Sequence, residues 1–221
     1  MMEQFGLIAK FSSTATDATY FVPAQLKTPP EGLCKQEPSM SDPCPLYLHF
    51  VDGFVPHGLF TRLVSRSISW YCESWRPLLP KLYQNGAWFV LIKREVVYDL
   101  ILLCKKSFIK IVLKQRGQNE AVSMATSAGI ARRVLVFVED TLQNLSRELP
   151  YLSGLQYELC VACPYCAREC TNQVPSTDQD CLHLLEVKRG EQLICMESVR
   201  LDKVYTVHGV EKWFSKRMTQ V

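Results

Sequence analysis

The chain has 221 residues, which is enough for one sizeable domain or two small ones. Apolar residues make up 48% and charged residues 21%, values close to the globular average that exclude intrinsic disorder, collagen and coiled-coil rods. The formal net charge of +3 is too small by itself to predict attraction to nucleic acid or to a membrane surface. The unusual number is ten cysteines, most of which lie between Cys160 and Cys195.

The residue pattern indicates an intracellular compartment. The first residues have neither the basic segment nor the continuous apolar segment of a signal peptide, and stretches such as Val96–Cys104 are too short to span a bilayer. We therefore expect a cytoplasmic protein without a membrane span. Cysteines there stay reduced and, when clustered, more often bind metal than form disulfides.

The first 50 residues predict little regular structure before one strand. Residues 1–9 are helix-like but too short to fold alone, and residues 20–23 are extended because the residue before Pro23 avoids helix. Five prolines in residues 28–45 predict an irregular loop. Residues 46–50 then alternate, which predicts a strand with Leu46, Leu48 and Phe50 on one face.

Two amphipathic helices and a set of antiparallel strands follow. Apolar residues recur at helical spacing from Leu59 to about Trp75, and again from about Ser127 to Glu148. Between them, Asn85-Gly86 predicts a hairpin, and residues 96–104 and 108–113 predict two further strands. The predicted fold class is α+β: an antiparallel sheet packed with two long helices, plus a small cysteine-rich, zinc-knuckle-like subdomain at the C-terminus.

The tail pattern predicts one structural zinc ion. A strand over residues 156–162 leads into Cys163-Pro164-Tyr165-Cys166, and two thiolates on one tight turn can reach one ion. Cys195 is the best third ligand. The fourth ligand is Cys160, Cys170 or His183. The capping-box spacing of residues 176–179 predicts the start of a short helix that runs through residues 181–185 and is closed by Gly190.

Two other interpretations of these cysteines remain open. Residues 160–170 match the C-x2-C-x2-C-x3-C run of bacterial ferredoxins, although Thr171 stands where that run has proline. An iron–sulfur protein with a redox role is one alternative, and reduced cysteines that pack without metal are another. A zinc-ribbon that binds nucleic acid is disfavoured, because acidic and basic residues alternate through the tail.

No catalytic residue or nucleotide-binding loop is predicted. Residues 53–58 have the glycine spacing of a phosphate-binding loop, but Leu59 stands where the lysine must be. The four histidines form no pattern with a nucleophile, and His49 within a strand is more simply structural. We therefore expect a protein that is not an enzyme.

Residues 20–26 (YFVPAQL) and 54–66 (FVPHGLFTRLVSR) resemble the COR domain, the region C-terminal of the Roc GTPase in Roco proteins. Residues 82–87 (LYQNGA) resemble the strand and turn that follow in that family, and residues 2–7 (MEQFGL) resemble the close of its first, helical half. The cysteine-rich tail is similar to that of animal Roco proteins. On this basis, residues 1–19 are a remnant of the first COR half, 20–150 the second half, and 151–221 the tail subdomain.

The resemblance implies a non-enzymatic interaction and dimerisation module that couples a Roc GTPase to protein partners. The 221 residues contain no segment similar to the Roc GTPase itself, so GTP hydrolysis is not implied for this chain. The Roc domain of a related chain and a second copy of this chain are therefore the expected partners. The chain is then either a fragment of a longer Roco protein or a stand-alone module.

Overall fold

The structure is a computed structural model that describes residues 9–12, 18–34, 38–75, 78–93, 95–117, 120–163, 182–188, 193 and 208–214. The strands are β1 (Ala9–Ser12), β2 (Ala18–Phe21), β3 (Leu46–Phe50), β4 (Lys81–Tyr83), β5 (Gly86–Lys93), β6 (Val96–Cys104), β7 (Phe108–Arg116), β8 (Tyr157–Ala162) and β9 (Leu184–Glu186). The α-helices are α1 (Glu31–Cys34), α2 (Leu59–Ser74), α3 (Glu120–Glu148) and α4 (Glu211–Phe214).

The described strands form one large sheet and one small hairpin. The large sheet has seven strands in the order β4-β5-β6-β7-β3-β8-β9, and each neighbouring pair is antiparallel. β1 and β2 pair separately. The two long helices α2 and α3 pack on one face of the large sheet and share its core. The predicted α+β class is therefore confirmed.

The inner face of the sheet carries the main core. Leu46, Leu48 and Phe50 of β3 point into it, as their alternation predicts, and α2 contributes the buried side of its apolar stripe. Trp213 of α4 is fully buried in the same core. Burial of this apolar surface is the main stabilising term of the fold.

Two small apolar clusters of described residues lie on the outer face. The helix α1 lays Leu33 over Ile101, Leu103 and Val112 and buries them. Further along the same face, Tyr47, Phe108 and Cys160 form a second small cluster, against which Leu182 and Leu184 pack. The region between β3 and β9 on this outer face is where chemically active side chains meet.

Three predicted elements need correction. The irregular loop predicted over residues 28–45 contains the helix α1, because Leu33 gains a buried position on the sheet. The second long helix begins at Glu120 rather than near Ser127. The helix predicted over residues 181–185 is wrong where the structure describes it: Leu184–Glu186 is a strand, which lets Leu185 reach the inner core opposite Val161.

The described part of the predicted tail continues the main sheet. β8 pairs with β3, and β9 pairs with β8, so both strands extend the same seven-stranded sheet. The remaining tail, including residues 164–181, 189–192 and 194–207, lies outside the described residues. The tail subdomain and its boundary at residue 151 therefore stay predictions. Within the described ranges, no helix combines the length and apolarity that a membrane span requires.

Candidate metal centre

Three side chains with metal-binding chemistry meet on the outer face between β3 and β8. His49 lies directly opposite Glu158 in the antiparallel register, and Cys160 is two residues further along β8. Because side chains alternate along a strand, the pattern that buries Leu48 and Phe50 turns His49 to the outer face. The same alternation puts Glu158 and Cys160 on one face of β8.

The ligand atoms of these residues are close together. One ring nitrogen of His49, one carboxylate oxygen of Glu158 and the Sγ of Cys160 all lie within 4.8 Å of one another. The distance from His49 Nδ1 to Glu158 Oε2 is 4.0 Å. Cys160 is only 2% exposed, whereas the side chains of His49 and Glu158 are 35% and 44% exposed. Burial therefore fixes the position of the Cys160 sulfur, whereas the partly exposed side chains of His49 and Glu158 have room to change rotamer.

The group opens into a cleft of about 330 Å³. His183 and Glu186 line the same cleft, together with Phe108. The backbone fixes this wall, because the N–H of Cys163 donates to the carbonyl of His183 at 2.8 Å. The segment that carries His183 is therefore held beside β8.

Negatively charged carboxylates surround the thiol of Cys160 in the cleft. Burial first, and the carboxylates of Glu158 and Glu186 next, raise the pKa of this thiol to about 12. The negative charge of Glu186 is partly offset by the positive charge of Lys188, whose Nζ lies 3.2 Å from the Glu186 carboxylate. A cation in the cleft would oppose this negative charge, and nitrogen, oxygen and sulfur donors together suit zinc.

The structure brings together only some of the ligands predicted from the sequence. Cys160 and His183 line the cleft, and Cys163 is buried just beyond the end of β8, outside the group of three. The other three predicted ligands lie outside the described residues: Cys166, Cys170 and Cys195. The predicted ligand set therefore stays a prediction as a whole.

Sequence reasoning missed His49 and Glu158. The signal for half of the site was present, since Glu158 and Cys160 are two apart on a predicted strand and must share a face. The sequence alone favours a structural role for His49, because nothing in it gives the pairing of β3 with β8. Residues about 110 positions apart become neighbours only through that register.

A second, larger cleft of about 760 Å³ lies at the start of α2. Its walls include an apolar part and a basic part. The apolar part includes Val55, Phe60 and Leu103. The basic part consists of His57, Lys105 and Lys106. Burial raises the pKa of the Cys104 thiol in this wall to about 12, despite the opposing effect of Lys105.

Comparisons of the chain with protein-family models, with curated proteins and with solved structures found no match. The fold class therefore rests on the structure, and any family or function is a proposal.

Proposed function

We propose that the chain is a non-enzymatic COR-type module that couples a Roc GTPase domain to protein partners and can dimerise. The observation that carries this proposal is a convergence in space. Ala24, residues 55–58 with Phe60 and Thr61, and Gln84 with Asn85 come from three of the four segments that resemble COR, and all of them line the 760 Å³ cleft. Segments that share a family resemblance and also share one cleft favour a common binding role.

The chemistry of this cleft suits a partner segment with both apolar and acidic side chains. The half-buried Val55 offers an apolar contact, while Lys105 and Lys106 add positive charge to the lining. The cleft also contains the first turn of α2, where the helix dipole favours negative charge. We therefore propose an acidic, amphipathic segment of the Roc domain as the occupant.

The thiol in the cleft wall supports binding rather than catalysis. The nucleophilic form of cysteine is the thiolate, and a pKa near 12 leaves the Cys104 side chain protonated at neutral pH. The described cysteines carry free thiols, which supports a reducing, cytosolic location for the module.

Charge reversal in the cleft tests the proposal. We expect Lys105→Glu with Lys106→Glu to weaken binding of an isolated Roc GTPase domain at least tenfold in calorimetric titration, because both charges would then repel an acidic segment. Lys93→Glu is the control, because Lys93 does not line the cleft. It lies seven residues along β5 from Gly86, which follows the cleft residue Asn85, and is therefore about 23 Å from it. Equal affinities for all three proteins would contradict the proposal.

Dimerisation is tested on the unmodified chain. Light scattering over a series of protein concentrations is expected to show a rise in mass toward that of two chains. A constant monomer mass at high concentration would count against a dimer.

We also propose that the chain binds one structural zinc ion in its cysteine-rich part. The ligands proposed from the sequence are Cys163, Cys166 and Cys195, with Cys160, Cys170 or His183 as the fourth. What supports metal binding is that Cys160, one of these ligands, belongs to the group of His49, Glu158 and Cys160 across β3 and β8, whose donors suit zinc. Metal analysis of the purified chain is expected to give one zinc per chain.

A further inference from the structure

We propose that His49, Glu158 and Cys160 hold a zinc ion that fastens β8 to β3 across the outer face of the sheet. This inference rests on the proposal that the chain binds zinc, and it moves the site from the Cys163–Cys166 turn to the sheet. The three ligands come from two strands that are neighbours only in the folded chain. The three ligands are therefore close together only in the folded chain, so the ion would bind the folded chain and not the unfolded one.

The donor set selects the metal. Imidazole nitrogen, carboxylate oxygen and thiolate sulfur are the ligands that zinc takes in proteins, whereas magnesium and calcium prefer oxygen alone. Cys160 is a buried thiol, which disfavours an oxygen-seeking ion at this position. Zinc is thus the ion that this combination fits.

The distances require only a small adjustment. In a tetrahedral zinc site with bonds of 2.0–2.3 Å, ligand atoms are about 3.5 Å apart. The 4.0 Å between His49 Nδ1 and Glu158 Oε2 is close to this value, and the three ligand atoms already lie within 4.8 Å of one another. Because His49 and Glu158 are partly exposed, their side chains can close this gap without moving the buried Cys160.

The fourth coordination position faces the cleft, and we assign it to His183. This residue lines the same cleft, and the hydrogen bond from Cys163 N–H to its carbonyl keeps its backbone beside β8. Its imidazole lies outside the group of three and must turn toward the ion. With His183 bound, the ion would also fasten the segment 182–188 that contains β9.

Cobalt titration of the metal-free full chain tests the site, because thiolate-bound Co²⁺ absorbs light and Zn²⁺ then displaces it. We expect Glu158→Gln and His49→Ala to weaken Co²⁺ binding at least tenfold, and Cys160→Ser to remove the thiolate band of this site. His183→Ala is expected to weaken binding as well, and an unchanged affinity would overturn the assignment of the fourth ligand. Glu148→Gln is the matched control, since Glu148 is a carboxylate about as exposed as Glu158 but does not line the cleft.

The outcomes separate this site from the zinc proposal itself. If the unmodified chain binds no metal, both the zinc proposal and the sheet site are wrong. If Cys163→Ser or Cys166→Ser loses the ion while Glu158→Gln and His49→Ala retain full affinity, the chain binds zinc at the turn and the sheet site is overturned. Glu158→Gln changes a partly exposed side chain, so it should fold even if Cys160→Ser does not.

Discussion

At the scale of single residues, the outer face is held by a hydrogen-bonded carboxylate. Asp99 of β6 is 7% exposed and accepts hydrogen bonds from Trp88 Nε1 at 2.6 Å and from Arg116 Nε at 2.9 Å and Nη2 at 2.6 Å. The hydrogen bond to Asp99 raises the pKa of the Arg116 guanidinium. Trp88, Asp99 and Arg116 lie on three neighbouring strands, so the carboxylate links β5, β6 and β7.

We expect Asp99→Asn to lower the free energy of unfolding by about 2–3 kcal/mol, because it removes a buried, charge-assisted acceptor while keeping its shape. Urea unfolding measures this loss. The control is Glu148→Gln, which removes an ion pair with Arg66 whose side chains are both more than half exposed. That pair is expected to contribute about 0–1 kcal/mol. Equal losses in the two variants would contradict the role given to Asp99.

Little at this scale was readable from the sequence. The alternation of residues 46–50 predicted which side chains of β3 are buried, and therefore that His49 lies on the other face. It could not predict that Glu158 lies opposite His49, nor that the side chain of Arg116 reaches Asp99 from the neighbouring strand, because cross-strand neighbours depend on register. The metal ligands proposed from the sequence were for the same reason limited to the cysteine-rich segment from Cys160 to Cys195.

At the scale of elements, the helix α4 is tied to the loop before β3. Lys212 Nζ donates to the carbonyl of Ser41 at 2.6 Å, and Trp213 Nε1 donates to the carbonyl of Cys44 at 2.8 Å. Asp42 fixes the loop in turn, because its carboxylate accepts the N–H of Gln115 at 2.9 Å. A four-residue helix is not stable alone, so these contacts and the burial of Trp213 hold it in place.

Gly209 is the tight point of this contact. Its φ is +87°, and a Cβ there would lie 2.9 Å from both Asp42 O and Cys44 N. We expect Gly209→Ala to destabilise the fold by about 3 kcal/mol or more, from left-handed strain of about 1–2 kcal/mol plus this clash with backbone atoms. Thermal unfolding followed by circular dichroism measures the effect.

Gly53→Ala is the control for Gly209→Ala. Gly53 has a similar φ of +76°, but a Cβ there would meet nothing within 4 Å. Gly53→Ala is expected to lower the free energy of unfolding only by the left-handed strain of about 1–2 kcal/mol. A loss in Gly209→Ala no greater than in Gly53→Ala would show that the contact with the loop is not tight.

Elements with a strong period were predictable, and short ones were not. The apolar stripe from Leu59 predicted α2, and the Asn85-Gly86 signal predicted the β4–β5 hairpin, although its turn is Gln84-Asn85 because Gly86 already pairs with Tyr83. The strand β9 was predicted as a helix because three leucines in four residues fit either period, and only pairing with β8 decides between them. The helix α1 was missed because its single buried residue, Leu33, leaves no pattern.

At the scale of the whole molecule, buried thiols make stability depend on pH. Burial raises the pKa of Cys44 and Cys104 from 9.0 to about 12. The unfolded chain therefore loses these protons near pH 9, while the folded chain keeps them to about pH 12. The stabilisation is complete below pH 9 and is lost as pH rises toward 12.

We therefore expect the urea midpoint to fall steadily between pH 9 and pH 11, because the unfolded state binds fewer protons there. The variant Cys104→Ala should show a shallower fall than the unmodified chain, since it removes one of the three thiols whose pKa is raised to about 12, the others being Cys44 and Cys160. Unfolding curves measured in parallel at each pH check this. Identical slopes for the two proteins would mean that Cys104 ionises equally in both states.

The same scale contains the central functional proposal, which depends on three distant segments meeting at one cleft. The sequence allowed the resemblance of each segment to be recognised, but their convergence became visible only in the fold. Hydrogen–deuterium exchange of the full chain, with and without an isolated Roc GTPase domain, tests it most directly. We expect the Roc domain to slow exchange in the segments 55–61, 84–85 and 103–106, all of whose residues except Leu59 line the cleft. Unchanged exchange in these segments at a saturating Roc concentration would contradict the proposed function.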